Sequence, residues 1–240
     1  MIVALDRIKL DVRDLAAATA ATERLLARAP SGDTFQLDNV ALQLSPGDNE
    51  DLAGLAFAVS DIDAAFRACD RRALGPRREG RTIDLAPEAT FGTSIALIER
   101  PTKRDPAQSA AEGAVTGLDH VVIRTTHPNR AAALYGARLG LDMRLDRTEP
   151  KWGARLMFFR CGDLIVEIVH DLKNEPSDAP DILWGLSWRV ADADAANARL
   201  KASGFDVSEI RAGRKPGTRV FTVRDNTLNV PTLFVEPKPA

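Results

Sequence analysis

Two similar stretches of sequence decide the fold: FAVSDIDAA at residues 57–65 and WRVADADAA at residues 188–196. Both have an aromatic residue, a Val two positions later and the order Asp-x-Asp-Ala-Ala. The apolar residues before the first Asp are typical of a strand. The Ala-rich segment after it is typical of a helix that begins at a capping residue such as Asp61. A repeat of this kind indicates that the chain is built from copies of one strand–helix unit.

A second pair of similar stretches, LDRIKL at residues 5–10 and LDHVVI at residues 118–123, opens each half of the chain. Each is an alternating strand pattern that leads into a helical pattern, which in the third unit begins at Pro128 and ends at Gly140. Short apolar runs between turn residues follow the helices and predict further strands. The sequence therefore predicts four units, each with the order βαβββ.

The stretch PTKRDPAQSAAEGAVT at residues 101–116 separates the two pairs of units. It is polar, contains Pro and lacks periodicity, which is typical of a linker. We therefore predict an N-terminal domain at residues 1–100, a linker at residues 101–116 and a C-terminal domain at residues 117–240. The length of 240 residues fits two ordinary domains.

The composition excludes several classes of protein. The chain carries 32 Lys and Arg against 34 Asp and Glu, a net charge of −2, so it has no basic excess for a nucleic-acid partner. No apolar run is long enough to span a membrane, no signal peptide is visible, and two cysteines are too few for a disulfide framework. We therefore predict a cytoplasmic protein without membrane contact. The phosphate-binding loop and the dinucleotide fingerprint are missing, so no nucleotide cofactor is expected.

The third unit carries the most specific motifs, which are LDHVVI at 118–123, ALY at 133–135, LGL at 139–141 and DLIVEIVH at 163–170. They resemble the vicinal oxygen chelate superfamily, the group of glyoxalases, bleomycin resistance proteins and extradiol dioxygenases. The resemblance covers nearly the whole chain and is closer over residues 117–237. It implies an α+β fold in which four βαβββ modules form two tandem glyoxalase-like domains, each a cupped mixed β-sheet with helices outside.

In this superfamily a divalent metal can sit in the cup, held by one residue from each first strand and one from each last strand of two paired modules. In the C-terminal domain two of these positions hold His120 and Glu167, a ligand mixture that Zn, Fe, Mn or Ni accepts. The other two positions hold Gly185 and Leu233, whose side chains cannot bind a metal. The resemblance thus implies one divalent metal with an incomplete ligand set, and a degenerate site in the N-terminal domain.

Strand alternation places His120 and Glu167 on the same inner face of the sheet. By the same parity Arg124, Ser187 and Arg189 face the cup, and they are candidate substrate-binding residues. A guanidinium can hold a carboxylate or a phenolate at two points. Structural roles stay open as well, because an imidazole can be satisfied by a backbone carbonyl and the inward carboxylate by an ion pair with either arginine.

Three further expectations concern glycine, histidine and tryptophan. Gly54 and Gly185 occupy corresponding positions of two units, which predicts extra pocket volume at the missing ligands. His127 and His170 are expected to be solvated surface residues. Trp184, at the start of a strand, is expected to pack in the core or at the rim rather than to serve as a stacking platform.

These observations predict an enzyme of the vicinal oxygen chelate type, a lyase, isomerase or epimerase that acts on a small oxygenated organic compound. His120 and Glu167 would hold a metal or move a proton. The alternative is a metal-free protein that sequesters a hydrophobic small molecule, which the missing ligands favour. Extradiol oxygenation ranks below both, because it uses two histidines and one carboxylate. The predicted partner is a small molecule, and a homodimer is left open.

Overall fold

The computed structural model describes residues 2–100 and 111–238 of the chain. Residues 101–110 of the predicted linker lie outside the described residues. The fold is mixed α+β with two mixed sheets of seven and eight strands, which confirms the predicted class. No helix in the described part of the chain is long and apolar enough to cross a membrane.

The first sheet is built from the N-terminal half of the chain. Its strands are β1 (Ile2–Val12), β2 (Thr34–Gln36), β3 (Ala41–Pro46), β4 (Asp51–Val59), β5 (Arg77–Glu79), β6 (Thr82–Asp84) and β7 (Ile95–Glu99). The helices of this half are α1 (Leu15–Leu26) and α2 (Ile62–Arg71). The strand order in the sheet is β2-β3-β1-β4-β7-β6-β5, and β4 runs parallel to β7.

The second sheet is built from the C-terminal half. Its strands are β8 (Val115–Arg124), β9 (Asp142–Glu149), β10 (Ala154–Cys161), β11 (Leu164–Asp171), β12 (Ile182–Val190), β13 (Arg211–Ala212), β14 (Arg219–Val223) and β15 (Thr232–Glu236). The helices are α3 (Pro128–Ala132) and α4 (Ala193–Ala202). The strand order is β13-β14-β15-β12-β8-β11-β10-β9. Three of the four units show the order βαβββ, and in the first unit two strands follow the helix.

The repeated Asp residues begin the helices as the sequence predicts. Asp61 accepts a hydrogen bond from the backbone N–H of Ala64, and Asp192 accepts from Asp194 and Ala195. Each side chain thus satisfies backbone donors that the first helical turn leaves without partners. This local chemistry explains why the strand ends and the helix starts at the same place in both copies of the repeat.

The third helix differs in its second half from the predicted single helix. After α3 the chain continues as a π-helical segment, Ala133–Arg138, in which the backbone N–H of Leu139 donates to the carbonyl of Leu134 at 2.8 Å. Gly140 then adopts a positive φ of 77°, which confirms it as the residue that ends the helix. Such wide turns are uncommon and often lie near functional sites.

The described chain divides into two compact units that do not follow its halves. The first unit comprises residues 2–8, 53–100 and 120–184, and the second comprises residues 9–52, 111–119 and 185–238. Each unit takes segments from both halves of the sequence. The predicted domain boundaries stay a prediction.

Each unit has its own core of buried aromatic side chains. In the first unit Tyr135 and Phe159 are completely buried, with ring centroids 6.0 Å apart. In the second unit Phe221 and Phe234 are completely buried and stack at 5.0 Å. Truncating a buried aromatic residue to Ala commonly costs about 3–5 kcal/mol, so these rings are a main source of stability in both units.

Candidate functional site

Four neighbouring strands of the first unit present one continuous face. β11 runs parallel to β8 and antiparallel to β10, and β10 pairs with β9. Residues opposite one another in register share a face of the sheet, and residues two apart along a strand share it too. We call the resulting surface the dyad face. Its side chains are His120, Val122 and Arg124; Ile165, Glu167 and Val169; Leu156, Phe158 and Arg160; and Leu145 and Arg147.

His120 and Glu167 meet at the centre of this face. Nε2 of His120 lies 3.4 Å from Oε2 of Glu167, and the two side chains are 19% and 12% exposed. In register His120 is opposite Ile165, and Glu167 is opposite Val122, so the two functional side chains are diagonal neighbours on adjacent strands. The predicted convergence of imidazole and carboxylate on one face is thus observed. The catalytic and metal-binding roles of the two residues stay predictions.

The surroundings of the pair are apolar on both sides of the sheet. Phe158 is half-buried directly opposite Glu167, and Leu145, opposite Phe158, is 46% exposed. On the reverse face Val121 and Ile168 are completely buried. The strands are therefore fixed from behind by packing, while on the dyad face the His–Glu pair lies partly buried among apolar side chains.

Arg124 stands at the end of β8 on the dyad face, opposite Val169. Its guanidinium carbon lies 4.1 Å above the ring of Trp184, which is 37% exposed. Arg124 itself is exposed. The expectation that Trp184 is not a stacking platform is wrong, because its ring stacks with an arginine from a distant strand, which nothing in the sequence signals.

The strand that carries Trp184 is fixed by a buried polar network. Asp181, 4% exposed, accepts hydrogen bonds from Thr125 Oγ1 at 2.8 Å and from Arg130 Nη2 at 3.0 Å. Its backbone N–H donates to the carbonyl of Phe91 at 2.8 Å. Burial raises the pKa of the Asp181 carboxyl, and the hydrogen bonds from Thr125 and Arg130 oppose the rise. The start of β12 is thus held in place three residues before Trp184.

The two remaining histidines have structural roles. His170 is 4% exposed, and its Nδ1 lies 3.1 Å from the carbonyl oxygen of Thr125. His127 caps α3, with Nδ1 accepting from the backbone N–H of Arg130 at 3.3 Å. The expectation that both are solvated surface residues is wrong for His170, because the strand end of β11 turns it into the core rather than into solvent.

Ser187 and Arg189 lie in the second unit, whereas His120, Glu167 and Arg124 lie in the first. Ser187 is 3% exposed and stands opposite Leu233 in the parallel pair β12–β15. Arg189 is half-buried, and its carbonyl accepts a hydrogen bond from Thr116 Oγ1 at 3.1 Å. The substrate-binding role of Ser187 and Arg189 stays a prediction.

Residues 119–222 match the family model described as "Glyoxalase/Bleomycin resistance protein/Dioxygenase superfamily". This segment belongs to that superfamily. The match begins one residue before His120 and includes Glu167, so the resemblance read from the sequence is confirmed. No curated protein sequence matches the chain significantly.

Solved structures of the superfamily share the fold over nearly the whole chain. The Mn(II)-bound glyoxalase from Novosphingobium aromaticivorans is 16% identical, with a TM-score of 0.73 over 98% of this chain and 82% of that one. A catechol 2,3-dioxygenase is 17% identical, with a TM-score of 0.70 over 100% and 95%. The 2,2',3-trihydroxybiphenyl 1,2-dioxygenase from Sphingomonas wittichii strain RW1 is 16% identical, with a TM-score of 0.73 over 99% and 91%. At these identities the likeness is one of fold.

Gly185, which the resemblance places at a metal-ligand position, lies close to the backbone of the neighbouring strand. A Cβ added to Gly185 would lie 3.0 Å from the carbonyl oxygen of Pro231, which accepts a hydrogen bond from the N–H of Leu186. The same arrangement recurs at Gly54, where a Cβ would lie 3.2 Å from the carbonyl oxygen of Ser94. The prediction that these glycines open extra pocket volume is therefore wrong, because the space is filled by backbone of the neighbouring strand.

The donors present do not fit a tightly held divalent metal. Two ligands of a tetrahedral zinc ion, each about 2.1 Å from it, lie about 3.4 Å apart, so the spacing of His120 and Glu167 suits two coordination positions. In the described residues, however, no group of three or more His, Cys, Asp and Glu side chains could hold a metal ion. Gly185 and Leu233 supply no donor. The two-histidine, one-carboxylate set of extradiol chemistry is accordingly not assembled by these positions.

Proposed function

We propose that the chain is an enzyme of the vicinal oxygen chelate type that moves a proton at a carbon next to a carbonyl group. Its substrate is a small oxygenated organic compound, and the reaction is of the lyase, isomerase or epimerase class. One observation carries this proposal, namely the 3.4 Å approach of His120 Nε2 to Glu167 Oε2 among apolar side chains of one sheet face. Superfamily membership of residues 119–222 supports it.

In the proposed mechanism Glu167 takes the proton. The imidazole of His120 lies beside Oε2 of Glu167, and the carboxylate accepts the proton that leaves the substrate carbon. The imidazole orients the carboxylate of Glu167, whose side chain is 12% exposed and lies beside Phe158. Once Glu167 has taken the proton its carboxyl group is neutral, so no adjacent carboxylate charge opposes the negative charge that develops on the enolate.

Proton exchange tests this proposal directly. Pyruvate, 2-oxobutyrate and dihydroxyacetone are incubated with the protein in D₂O, and loss of the signals of protons next to the carbonyl is followed by NMR. We expect the protein to accelerate exchange in at least one of them, and Glu167→Gln to slow that exchange at least a hundredfold. The exposed Glu175 offers a matched control, Glu175→Gln.

Two outcomes contradict the proposal. One is exchange at the buffer rate with every probe, and the other is exchange that Glu167→Gln leaves unchanged. His120→Gln adds a second comparison, since an orienting imidazole predicts a smaller loss than removal of the carboxylate that accepts the proton.

A second candidate function is metal-free binding of a hydrophobic small molecule. The observation that favours it is the exposure of large apolar side chains around the dyad face, with Leu145 at 46%, Trp152 at 45% and Trp184 at 37%. Such a protein would retain ligand affinity in Glu167→Gln and show no exchange activity with the wild-type sequence. The same set of variants therefore separates enzyme from binding protein.

The divalent metal that the resemblance implies stays a prediction, with His120 and Glu167 as an incomplete set of ligands. Metal analysis of the dialysed protein tests it. A stoichiometric Zn, Fe, Mn or Ni ion that is lost in His120→Ala would restore a metal-ligand role to the His–Glu pair. Cytoplasmic location, a homodimer, and the lack of a nucleic-acid partner and a nucleotide cofactor stay predictions.

A further inference from the structure

Two arginines of the dyad face, Arg124 and Arg160, have no carboxylate partner within the described chain, and Arg160 donates instead to the backbone carbonyl of Gly162 at 3.1 Å. Arg155 forms two hydrogen bonds with Asp146, at 2.9 and 2.7 Å. Arg147 pairs with Glu149. The guanidinium of Arg124 instead stacks on the ring of Trp184, which is its interaction partner within the described residues.

Stacking prepares a guanidinium to bind a planar anion. The ring of Trp184 covers one face of the Arg124 guanidinium at 4.1 Å and leaves the in-plane N–H donors at its edge. Because the ring fixes the plane of the donors, less side-chain freedom is lost when an anion binds. The hydrogen bonds of Asp181, three residues before Trp184, fix the strand that supplies the ring.

The position of Arg124 suits a small molecule that also reaches the His–Glu pair. Arg124 is opposite Val169, two residues after Glu167 on the same face of β11. Two residues along a strand span about 7 Å between Cα positions, so a small compound bound at Arg124 can extend along this face towards Glu167. Val169 and Phe158 are half-buried on the same face and give its carbon skeleton an apolar floor.

We propose that Arg124, held on Trp184, binds the carboxylate of an anionic substrate, a carbonyl compound that also carries a carboxylic acid. The inference rests on the proposed function for the reacting carbonyl, and it adds the substrate class. A single guanidinium edge matches the two oxygens of a carboxylate. Trp184 acts as a positioning residue, since it orients the donors without touching the anion.

Calorimetry with two related probes tests this assignment. Benzoylformate carries a ring, a ketone and a carboxylate, and its methyl ester lacks the charge. We expect the wild-type protein to bind benzoylformate about ten- to a hundredfold more tightly than the ester. Arg124→Gln should remove this preference, and Trp184→Leu should reduce it. Arg224→Gln is the charge-matched control, because Arg224 forms an exposed ion pair with Asp206, and it should bind both probes as the wild type does.

Several results would overturn the proposal: no binding of benzoylformate, equal affinity for acid and ester, or a preference that survives in Arg124→Gln. Inorganic phosphate is the second anion, and binding as tight as that of benzoylformate would refute a carboxylate site. Glu167→Gln separates the two proposals, because it should retain carboxylate binding while proton exchange is lost. Thermal unfolding of each variant confirms that the fold is intact.

Discussion

Removing the buried carboxylate of Asp181 should destabilise the protein by about 3 kcal/mol when Ala replaces it. Breaking a buried ion pair from one side commonly costs about 3–5 kcal/mol, because the remaining charge loses its partner. The side chain of Asp181 is 0% exposed and that of Arg130 is 13% exposed. Arg130 keeps its hydrogen bond to the carbonyl of Ala179 at 2.9 Å and its stack on Phe91 at 4.4 Å, so the lower end of the range applies.

Asp181→Asn should cost much less, within about 1 kcal/mol at neutral pH, because an amide still accepts from Thr125 and Arg130. The sign of the pH dependence follows from the raised pKa of Asp181 in the folded state. The Asp181 carboxyl contributes less to the free energy of unfolding as the pH rises from its pKa in the unfolded state to its pKa in the folded state. Over this pH range the stability of Asp181→Asn should therefore increase relative to that of the wild type. Urea unfolding, followed by tryptophan fluorescence, measures both variants. An Ala variant that loses less than about 1 kcal/mol, or an Asn variant as unstable as Ala, would refute this account.

Gly185→Ala should destabilise the protein by about 1–3 kcal/mol, since the new methyl group meets the carbonyl of Pro231, and a thermal melt unchanged from wild type would contradict this. Asp146→Asn should lower the free energy of unfolding at neutral pH and match the wild type at acid pH. Hydrogen bonds from Arg155 hold the pKa of Asp146 below its usual range. The stabilisation by this ion pair is therefore lost as the pH falls through the folded-state pKa. Urea unfolding at several pH values checks it, and a difference that persists in acid argues against the pair. Burial raises the pKa of Cys161 to about 12, so this thiol should react with a disulfide reagent at neutral pH only after denaturation. Rapid labelling of the native protein at Cys161, identified by mass spectrometry, would disprove that.

Local chemistry explains which parts of the fold the sequence could predict. Asp61 begins a helix because its side chain accepts a hydrogen bond from a backbone N–H three residues later. A contact between residues so close in sequence can be predicted from the local sequence alone. The end of the third helix at Gly140 is local in the same sense. The π-helical turn before Gly140 has no residue pattern of its own. The division into two compact units depends on contacts between segments far apart in sequence, which periodicity does not report.

The same distinction holds for the candidate site. A period of two along β8 and β11 is enough to put His120 and Glu167 on one face, once the strands are known to be neighbours. Trp184 stacks on Arg124, and Asp181 fixes the start of the strand that carries Trp184. Both contacts join segments that no sequence motif links. Sequence parity therefore located the acid and the imidazole but missed the groups that hold the surrounding charges in place.

The glycine at position 185 shows why the missing metal ligand is a property of the backbone as well as of the side chain. Any residue with a Cβ at position 185 must move the carbonyl of Pro231, and that carbonyl is already hydrogen-bonded to the N–H of Leu186. Gly185→His would therefore have to shift the backbone at Pro231 before its imidazole could act as a ligand. The corresponding contact of Gly54 with Ser94 shows that the close approach belongs to the repeated unit. If His120 and Glu167 bind a metal as predicted, position 185 supplies no protein ligand, so groups of the substrate would have to complete the coordination.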